Sequence, residues 1–156
     1  MLTLRPFHPD DWPVLAHHQH PGMSETEIKN LISEFKASTH NGHRFQMLAI
    51  ENGGALVGYV SLLELEDGVG SEGVEIYPPY RRQGFAFSAI RQLLEQVQGY
   101  HTITAQIRQD NHASLALHQK LGFQIDSAFV NKRGHPVYSL SLALSQEIAT
   151  SLCASQ

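Results

Sequence analysis

Apolar residues along this chain follow two repeating patterns, one typical of strands and one typical of helices. Alternating or continuous apolar runs predict about seven strands, at residues 2–5, 45–50, 56–63, 73–77, 103–107, 123–130 and 137–144. Apolar spacing of three and four residues predicts helices at residues 12–18, after Ser24, after the loop at 81–86 and after Asn111. Polar residues 39–43 predict a loop, and the glycines within residues 67–71 predict a turn region.

The order of these elements predicts the fold class. Strands come first as a meander and then alternate with helices, which indicates a mixed sheet with helices on both faces, in an α/β or α+β domain. Residues 24–27 read Ser-Glu-Thr-Glu, a capping box that predicts where the second helix begins. Residues 1–144 are expected to form a single domain, and residues 145–156 a C-terminal tail without a motif.

Composition and charge narrow the range of partners. The chain has 156 residues, 42% of them hydrophobic and 17% charged, which suits one globular domain with a single core. Its formal net charge of −4 provides no domain-wide basic face and argues against nucleic acid as the main partner. The chain has neither an apolar run of membrane-spanning length nor a signal-peptide pattern, and its single Cys153 fits a reducing compartment. A cytoplasmic protein without a membrane partner is therefore expected.

Ten histidines are many for a chain of this length, and His17, His18 and His20 lie close together. Acidic or cysteine residues at metal-ligand spacing do not accompany them. A loop lined by surface histidines is expected here, and no metal site.

A basic, glycine-containing loop follows the strand predicted at residues 73–77. Residues 78–86 read Pro-Pro-Tyr-Arg-Arg-Gln-Gly-Phe-Ala and lead into an apolar helix. Free N–H groups at the start of this helix, the helix dipole and two arginines would together hold a phosphate. Gly84 would let the ligand approach the backbone closely. An ordinary strand-to-helix connection that binds nothing has the same features, so the loop alone leaves both interpretations open.

A second segment, residues 110–123, reads Asp-Asn-His-Ala-Ser-Leu-Ala-Leu-His-Gln-Lys-Leu-Gly-Phe. It resembles a signature of the GNAT N-acetyltransferase superfamily, in which an Asn opens a helix that ends in Lys-x-Gly-Phe. The loop Arg81-x-x-Gly84-x-Ala86 resembles the pyrophosphate-binding motif of the same family, Gln/Arg-x-x-Gly-x-Gly/Ala. The two motifs occur in the family's order, and a weaker likeness extends from about Leu2 to Leu144.

The resemblance implies a GNAT-like fold, a mixed and mostly antiparallel sheet of about seven strands, with acetyl-coenzyme A (acetyl-CoA) as co-substrate. In the family the pantetheine arm pairs with the fourth strand, here residues 74–77, as an added strand would. The pyrophosphate would lie on the backbone N–H groups of the basic loop. The cofactor-binding residues that the resemblance implies are Ile76, Tyr77, Arg81, Arg82, Gln83, Gly84, Phe85, Ala86, Asn111 and Ser114.

The family transfers acetyl directly from the thioester to an amine, which requires a base for the ammonium and a proton donor for the leaving thiolate. The donor is usually a Tyr on the helix that follows the Asn, and this chain has His118 at that place and Ser114 where the family has Ala. His118 is the expected acid, or it only packs beside the cofactor. Glu72 and Glu75 are the candidate bases, on opposite faces of their strand, and Glu72 is preferred. Solvated carboxylates with water as the base are the alternative.

The family builds its acceptor pocket from the loop between the first two helices and the turn before the last strand, here residues 17–24 and 131–135. Neither segment is a carboxylate cage for a polyamine, so the primary amine of a small molecule or peptide is expected, in a monomer or homodimer. One alternative is a catalytically degenerate module of the same fold that binds coenzyme A as a sensor, because Tyr is absent at position 118. A nucleotide-binding domain is poorly supported, since Rossmann and P-loop motifs are both absent.

Overall fold

Four α-helices and eight β-strands make up the part of the chain that the computed structural model describes, residues 1–144. In chain order they are β1 (Leu2–Pro6), α1 (Trp12–His18), α2 (Glu25–Phe35), β2 (Thr39–His40), β3 (His43–Asn52), β4 (Ala55–Glu66), β5 (Val69–Ile76), α3 (Phe85–Gln96), β6 (Thr102–Arg108), α4 (His112–Lys120), β7 (Gln124–Val130) and β8 (Pro136–Ala143). Single turns of 3-10 helix lie at Pro9–Asp11 and Pro78–Tyr80. The predicted tail at residues 145–156 lies outside the described residues. None of the described helices has the length and apolar content needed to cross a membrane.

The strands form a mixed sheet in the order β1-β3-β4-β5-β6-β8-β7, and β2 pairs with β3 outside this path. β5 and β6 pair in parallel, whereas the pairs β1–β3, β2–β3, β3–β4, β6–β8 and β7–β8 are antiparallel. The predicted mixed, mostly antiparallel sheet is confirmed. β2 is the strand beyond the seven that the sequence predicts.

Contacts within the chain divide it into two compact units. The first unit contains Met1–Leu63 and Gly73–Gln96, and the second contains Glu64–Glu72 and Val97–Gln156, of which residues up to Leu144 are described. The boundary between the units falls inside β4 and β5, so both strands continue from one unit into the other. The single domain expected over residues 1–144 stays a prediction.

The core of the first unit lies where α1 and α2 cover the sheet. Seven buried residues make up this cluster, namely Phe7, Leu15, Ile28, Ile32, Ala49, Leu56 and Tyr77. Ala49 and its neighbour Ile50 in β3 are both fully buried. Because adjacent strand residues point to opposite faces, both faces of β3 are covered.

The start of α2 follows the predicted capping box. The Ser24 hydroxyl accepts a hydrogen bond from the Glu27 N–H at 3.2 Å, and the Glu27 carboxylate accepts one from the Ser24 N–H at 3.2 Å. These two bonds satisfy donors that the first turn of a helix otherwise leaves unpaired.

The loop predicted at residues 39–43 is wrong. Thr39 and His40 form β2 and pair with Arg44 and His43 of β3. The hairpin turns at Asn41-Gly42, with φ values of 51° and 82°, the left-handed conformations that Asn-Gly favours. Backbone pairing around this turn does not require apolar side chains, which is why the polar pattern suggested a loop.

The turn predicted across residues 67–71 is too long. Asp67 and Gly68 form the turn, with Gly68 at a φ of 78°, and Gly70 and Ser71 already belong to β5. The pairing of residues 69–71 with β6 holds these residues extended despite their small side chains. Glu72 therefore lies in the middle of the strand rather than before it.

Candidate functional site

The last part of β5 has one backbone edge free of β6. The parallel pairing of β5 with β6 covers residues 69–71 only. On the other edge, the Tyr77 N–H donates to the Val57 carbonyl of β4 at 2.8 Å. Because backbone groups alternate between the two edges of a strand, those of Val74 and Ile76 point away from β4. An extended ligand can pair with these groups as an added strand does.

Gly58 in β4 allows a close approach of the backbone just before Tyr77. A Cβ atom at Gly58 would lie 2.0 Å from the backbone oxygen of Glu75, closer than any side chain tolerates. Only glycine fits at this point, and the end of β5 is thereby held tightly against β4.

The loop that precedes α3 presents unbonded backbone donors. Among the described residues, none accepts a hydrogen bond from the N–H groups of Arg82, Gln83, Gly84, Phe85 or Ala86. Arg82 and Gly84 both adopt left-handed backbone conformations, at φ values of 65° and 79°. The space around a Cβ at Gly84 is open to 4 Å. Free N–H groups at a helix start with open space above them fit a phosphate group.

Arg81 ties this loop back to the end of β5. Its Nε donates to the Ile76 carbonyl at 2.7 Å, and its guanidinium lies 3.5 Å from the Glu75 carboxylate. The Ile76 carbonyl is therefore occupied, and the Tyr77 N–H is taken by β4. For an extended ligand on this edge, the remaining backbone partners are the Ile76 N–H and both groups of Val74.

Glu72 and His118 form a buried pair in the second unit. Their side chains are 1% and 3% exposed, and His118 Nε2 contacts Glu72 Oε1 within hydrogen-bonding distance. The other ring nitrogen, Nδ1, donates to the Ser114 carbonyl at 2.8 Å. A carbonyl oxygen only accepts, so Nδ1 carries a proton and a further proton is shared between Nε2 and Glu72.

Burial disfavours the charged form of His118, but the hydrogen bond and negative charge of Glu72, with the Ser114 carbonyl, outweigh it. The pKa of His118 is raised above its ordinary value of 6.5. The edge of the His118 ring also faces Phe123, with ring centroids 5.0 Å apart.

Asn111 and Ser114 form the hydrogen bond that caps the start of α4. The Asn111 side-chain oxygen accepts from the Ser114 N–H at 3.2 Å, which makes Asn111 the N-cap. Ser114 in turn holds His118 through its carbonyl. These contacts position the buried pair. Contact of either residue with a cofactor stays a prediction.

A histidine–tyrosine stack at the end of α1 is a feature that sequence reasoning missed. The His18 ring lies flat on the Tyr77 ring, with centroids 4.3 Å apart and planes 7° apart. The Tyr77 hydroxyl donates to the Gln19 side-chain oxygen. Tyr77 is fully buried and His18 is half-buried. The run of histidines was the available signal, but sequence alone gave His18 no partner.

The structure thus brings two of the three predicted catalytic residues, Glu72 and His118, into contact and places Glu75 beside Arg81. Glu72 pairs with His118 across 46 positions of sequence, whereas Glu75 is half-exposed and faces Arg81. The catalytic roles of Glu72, Glu75 and His118 stay predictions. Within residues 1–144, no group of three or more His, Cys, Asp and Glu side chains is placed to hold a metal ion.

The relatives found by comparison with known proteins include two that are named for N-acyl transfer. The chain is 30% identical over 106 residues to the L-amino acid N-acyltransferase MnaT of Escherichia coli (strain K12), which covers 64% of this chain and 60% of that protein. It is 34% identical over 94 residues to the N-alpha-acetyltransferase RimI of Mycobacterium tuberculosis (strain ATCC 25618 / H37Rv), covering 56% of this chain and 55% of that protein. The chain spans little more than half the length of these curated relatives.

A solved structure shows the same fold. The spermidine N-acetyltransferase of Vibrio cholerae in complex with CoA and spermine superposes with a TM-score of 0.72 at 21% identity, over 91% of this chain and 95% of that one. Residues 1–124 of the 156 match the family model described as an acetyltransferase (GNAT) domain. On the strength of this match, the chain belongs to the GNAT acetyltransferase domain family.

Proposed function

We propose that this protein is an acetyl-CoA-dependent N-acetyltransferase that moves an acetyl group from the thioester to a primary amine of a small molecule or peptide. The observation that carries this proposal is the row of unbonded N–H groups before α3, in a chain of the GNAT family. The first turn of any helix leaves N–H groups unbonded, and here those of Arg82, Gln83 and Gly84 extend the row at the position of the family's pyrophosphate motif.

Acetyl-CoA would supply an activated acetyl group and bring no metal or redox chemistry to the site. Its pyrophosphate fits the N–H groups of residues 82–86, where the α3 dipole adds positive potential. Its peptide-like pantetheine arm fits the free edge of β5 at Val74 and Ile76, which offers donors and an acceptor at strand spacing. Arg82 is exposed and in a left-handed conformation, and strain of this kind accumulates at ligand-binding loops.

The buried Glu72–His118 pair would supply the proton that the leaving thiolate needs. The hydrogen bond and charge of Glu72 outweigh desolvation and raise the pKa of His118, which favours a protonated pair, as a general acid requires. Because both ring nitrogens of His118 are bonded, the pair acts as a unit rather than as a free imidazole. The acid role predicted for His118 is thus extended to Glu72, in place of the base role preferred for Glu72, and Glu75 stays a candidate base.

The names of two relatives support an acceptor with an α-amino group. One is named for L-amino acids and the other for N-alpha-acetylation. The structural neighbour holds spermine, but residues 17–24 and 131–135 of this chain contain no Asp or Glu to bind a polycation. An amino acid or a peptide N-terminus therefore suits this chain better than a polyamine.

The thermal midpoint of the purified protein with and without acetyl-CoA tests the proposal. At a hundred times the dissociation constant, binding adds about 2.7 kcal/mol to the free energy of unfolding, enough to raise the midpoint by several degrees. ADP and NADH serve as controls and should not reproduce the rise. Release of the CoA thiol in the presence of L-leucinamide then measures transfer. If acetyl-CoA causes no rise, the proposal is wrong.

One observation favours a second candidate, a GNAT-fold module that binds coenzyme A without catalysis. His118 is buried and both of its ring nitrogens are bonded to protein atoms, as in a pair that serves packing alone. Such a module would show the thermal rise with acetyl-CoA and no amine-dependent thiol release above the rate without protein.

A further inference from the structure

Two histidines of this chain differ in whether protein groups occupy their ring nitrogens. Both nitrogens of His118 are bonded, whereas among the described residues none hydrogen-bonds to either ring nitrogen of His18. We propose that His18 is the base that takes the proton from the ammonium group of the acceptor. This inference rests on the proposed function and assigns a residue that the sequence placed in a surface loop.

The stack with Tyr77 fixes where the imidazole of His18 points. Tyr77 is held on three sides, because it is fully buried in the core cluster, its N–H bonds Val57 and its hydroxyl bonds Gln19. A ring lying 4.3 Å above such a platform loses much of its rotamer freedom. The edge of the His18 ring, with both nitrogens, lies in a plane parallel to Tyr77 and not against its face, and half-burial leaves part of the ring accessible.

The charges around His18 favour a neutral imidazole beside a carboxylate. Desolvation and the positive charge of His17 lower the pKa of His18 below 6.5, although the charge of Glu75 opposes them. The other titratable group in contact is Tyr77, whose pKa burial raises, so its hydroxyl stays neutral. At neutral pH His18 therefore has a lone pair to offer, and Glu75 attracts the cationic acceptor.

The proton balance of the step is complete without a further reagent. The ammonium R–NH₃⁺ gives one proton to His18, and the neutral amine forms a C–N bond to the thioester carbonyl carbon. As the C–S bond breaks, the nitrogen loses a second proton and the departing sulfur gains one, which yields the amide and the CoA thiol. His18 then releases its proton to water.

The basicity of His18 also selects the acceptor class. An α-amino group has a pKa of about 8, whereas a lysine side chain has a pKa of about 10.4. A base whose own pKa is below 6.5 removes a proton from the first far more readily than from the second. We therefore expect α-amino acceptors, as in amino acids and peptide N-termini, to react in preference to alkyl amines.

The pH dependence of kcat/KM for L-leucinamide, at saturating acetyl-CoA, tests His18. In the wild type the acid limb should have its midpoint below 6.5, because the enzyme deprotonates the ammonium itself. In His18→Gln the limb should move to about 8, where the amine deprotonates unaided, and the rate at pH 7 should fall about tenfold or more. Nα-acetyl-L-lysinamide should react at least tenfold more slowly than L-leucinamide with the wild type.

His17→Gln is the matched control, because it removes the neighbouring exposed histidine and leaves the base in place. The midpoint of the acid limb for His17→Gln should lie within one pH unit of the wild-type midpoint. It should be slightly higher, because the charge of His17 that lowers the pKa of His18 is gone. Added imidazole should restore turnover to His18→Ala, which a purely structural role would not allow. Titration of the His18 ring by NMR in the free protein should give a midpoint below 6.5.

The outcomes separate this inference from the proposed function. No thermal rise with acetyl-CoA in the wild type would overturn both. A wild type that binds acetyl-CoA but acetylates neither amine would also overturn both and would support the non-catalytic module. An unshifted acid limb in His18→Gln, with transfer intact, would overturn the role of His18 and leave the proposed function standing.

Discussion

At the scale of single residues, the partners of a side chain decide its chemistry more than its type does. His118 and His18 are both imidazoles, yet Glu72 raises the pKa of one and desolvation lowers the pKa of the other. The first holds a proton at neutral pH and the second has a free lone pair. One histidine is thus suited to give a proton and the other to accept one.

The buried pair gives a prediction about coupling. Glu72→Gln and His118→Gln should each lower turnover about a hundredfold while acetyl-CoA affinity stays within about twofold, because the pair acts on proton transfer and not on binding. The double variant should be no slower than the slower single variant, since the two side chains share one proton and form a unit. Thiol release with L-leucinamide and calorimetric titration with acetyl-CoA measure the two quantities.

His101→Gln is the control for the single and double variants of the buried pair. His101 bonds Thr102 and packs beside Gly68, in the same unit but with no contact to the pair, and its variant should keep turnover within about twofold. All rates should be taken well below the thermal midpoint of each variant. Single variants as fast as the wild type, or losses that multiply in the double variant, would contradict a shared role.

At the scale of elements, the junction of β5 and α3 combines two left-handed residues, Arg82 and Gly84, with a row of unbonded N–H donors. This geometry predicts that Gly84→Val raises the dissociation constant for acetyl-CoA tenfold or more, about 1.4 kcal/mol. A β-branched side chain at a φ of 79° strains the loop and fills the open space over the N–H groups. Calorimetric titration measures the constant.

Gly54→Val is the control that separates blockage of the cofactor loop from the backbone strain of a valine at positive φ. Gly54 lies in the turn before β4 at a φ of 84°, and a Cβ there also meets nothing within 4 Å. This variant should lose similar stability and keep the wild-type affinity for acetyl-CoA. Equal affinities in the two variants would show that the loop before α3 does not hold the cofactor.

Much of the element order could be predicted from sequence because local signals agree with the fold. The capping box at Ser24 and the N-cap at Asn111 mark helix starts through contacts within four residues. β2 was missed because backbone pairing, not side-chain polarity, holds it. The start of β5 was missed because its pairing with β6 depends on a strand more than 30 residues away.

The candidate site could likewise be predicted from the sequence only in part. The loop at Arg81 and Gly84 was predictable, since its donors and glycine are consecutive in sequence. The partners of His118 and His18 were not, because Glu72 and Tyr77 lie 46 and 59 residues away in sequence. A contact at such a distance is set by the packing of whole elements, which a single sequence does not specify.

At the scale of the whole molecule, stability across pH sums every group whose pKa changes on folding. Burial opposes ionisation of Asp11, but hydrogen bonds from Arg5 and the His8 N–H lower its pKa below 3.8. Its contribution is present above that value and is lost as the pH falls through the folded-state pKa. The pKa of His118 is raised above 6.5, so its contribution is present below 6.5 and is lost as the pH rises through the folded-state pKa.

For Asp11 and His118 together, these opposite signs predict the greatest contribution to stability between about pH 4 and pH 6.5, and a variant isolates the part due to His118. His118→Gln should lower the free energy of unfolding in urea by about 1.5–3 kcal/mol at pH 5.5, the range for hydrogen bonds to charged groups. At pH 9 the difference should shrink, because the wild type has lost the same proton. Asp11→Asn should show the reverse, a loss at pH 7 that shrinks as the pH falls below 3.8. A difference between wild type and His118→Gln that stays constant from pH 5.5 to pH 9 would mean that folding adds no proton affinity to His118, and the shared proton of the buried pair would be disproved.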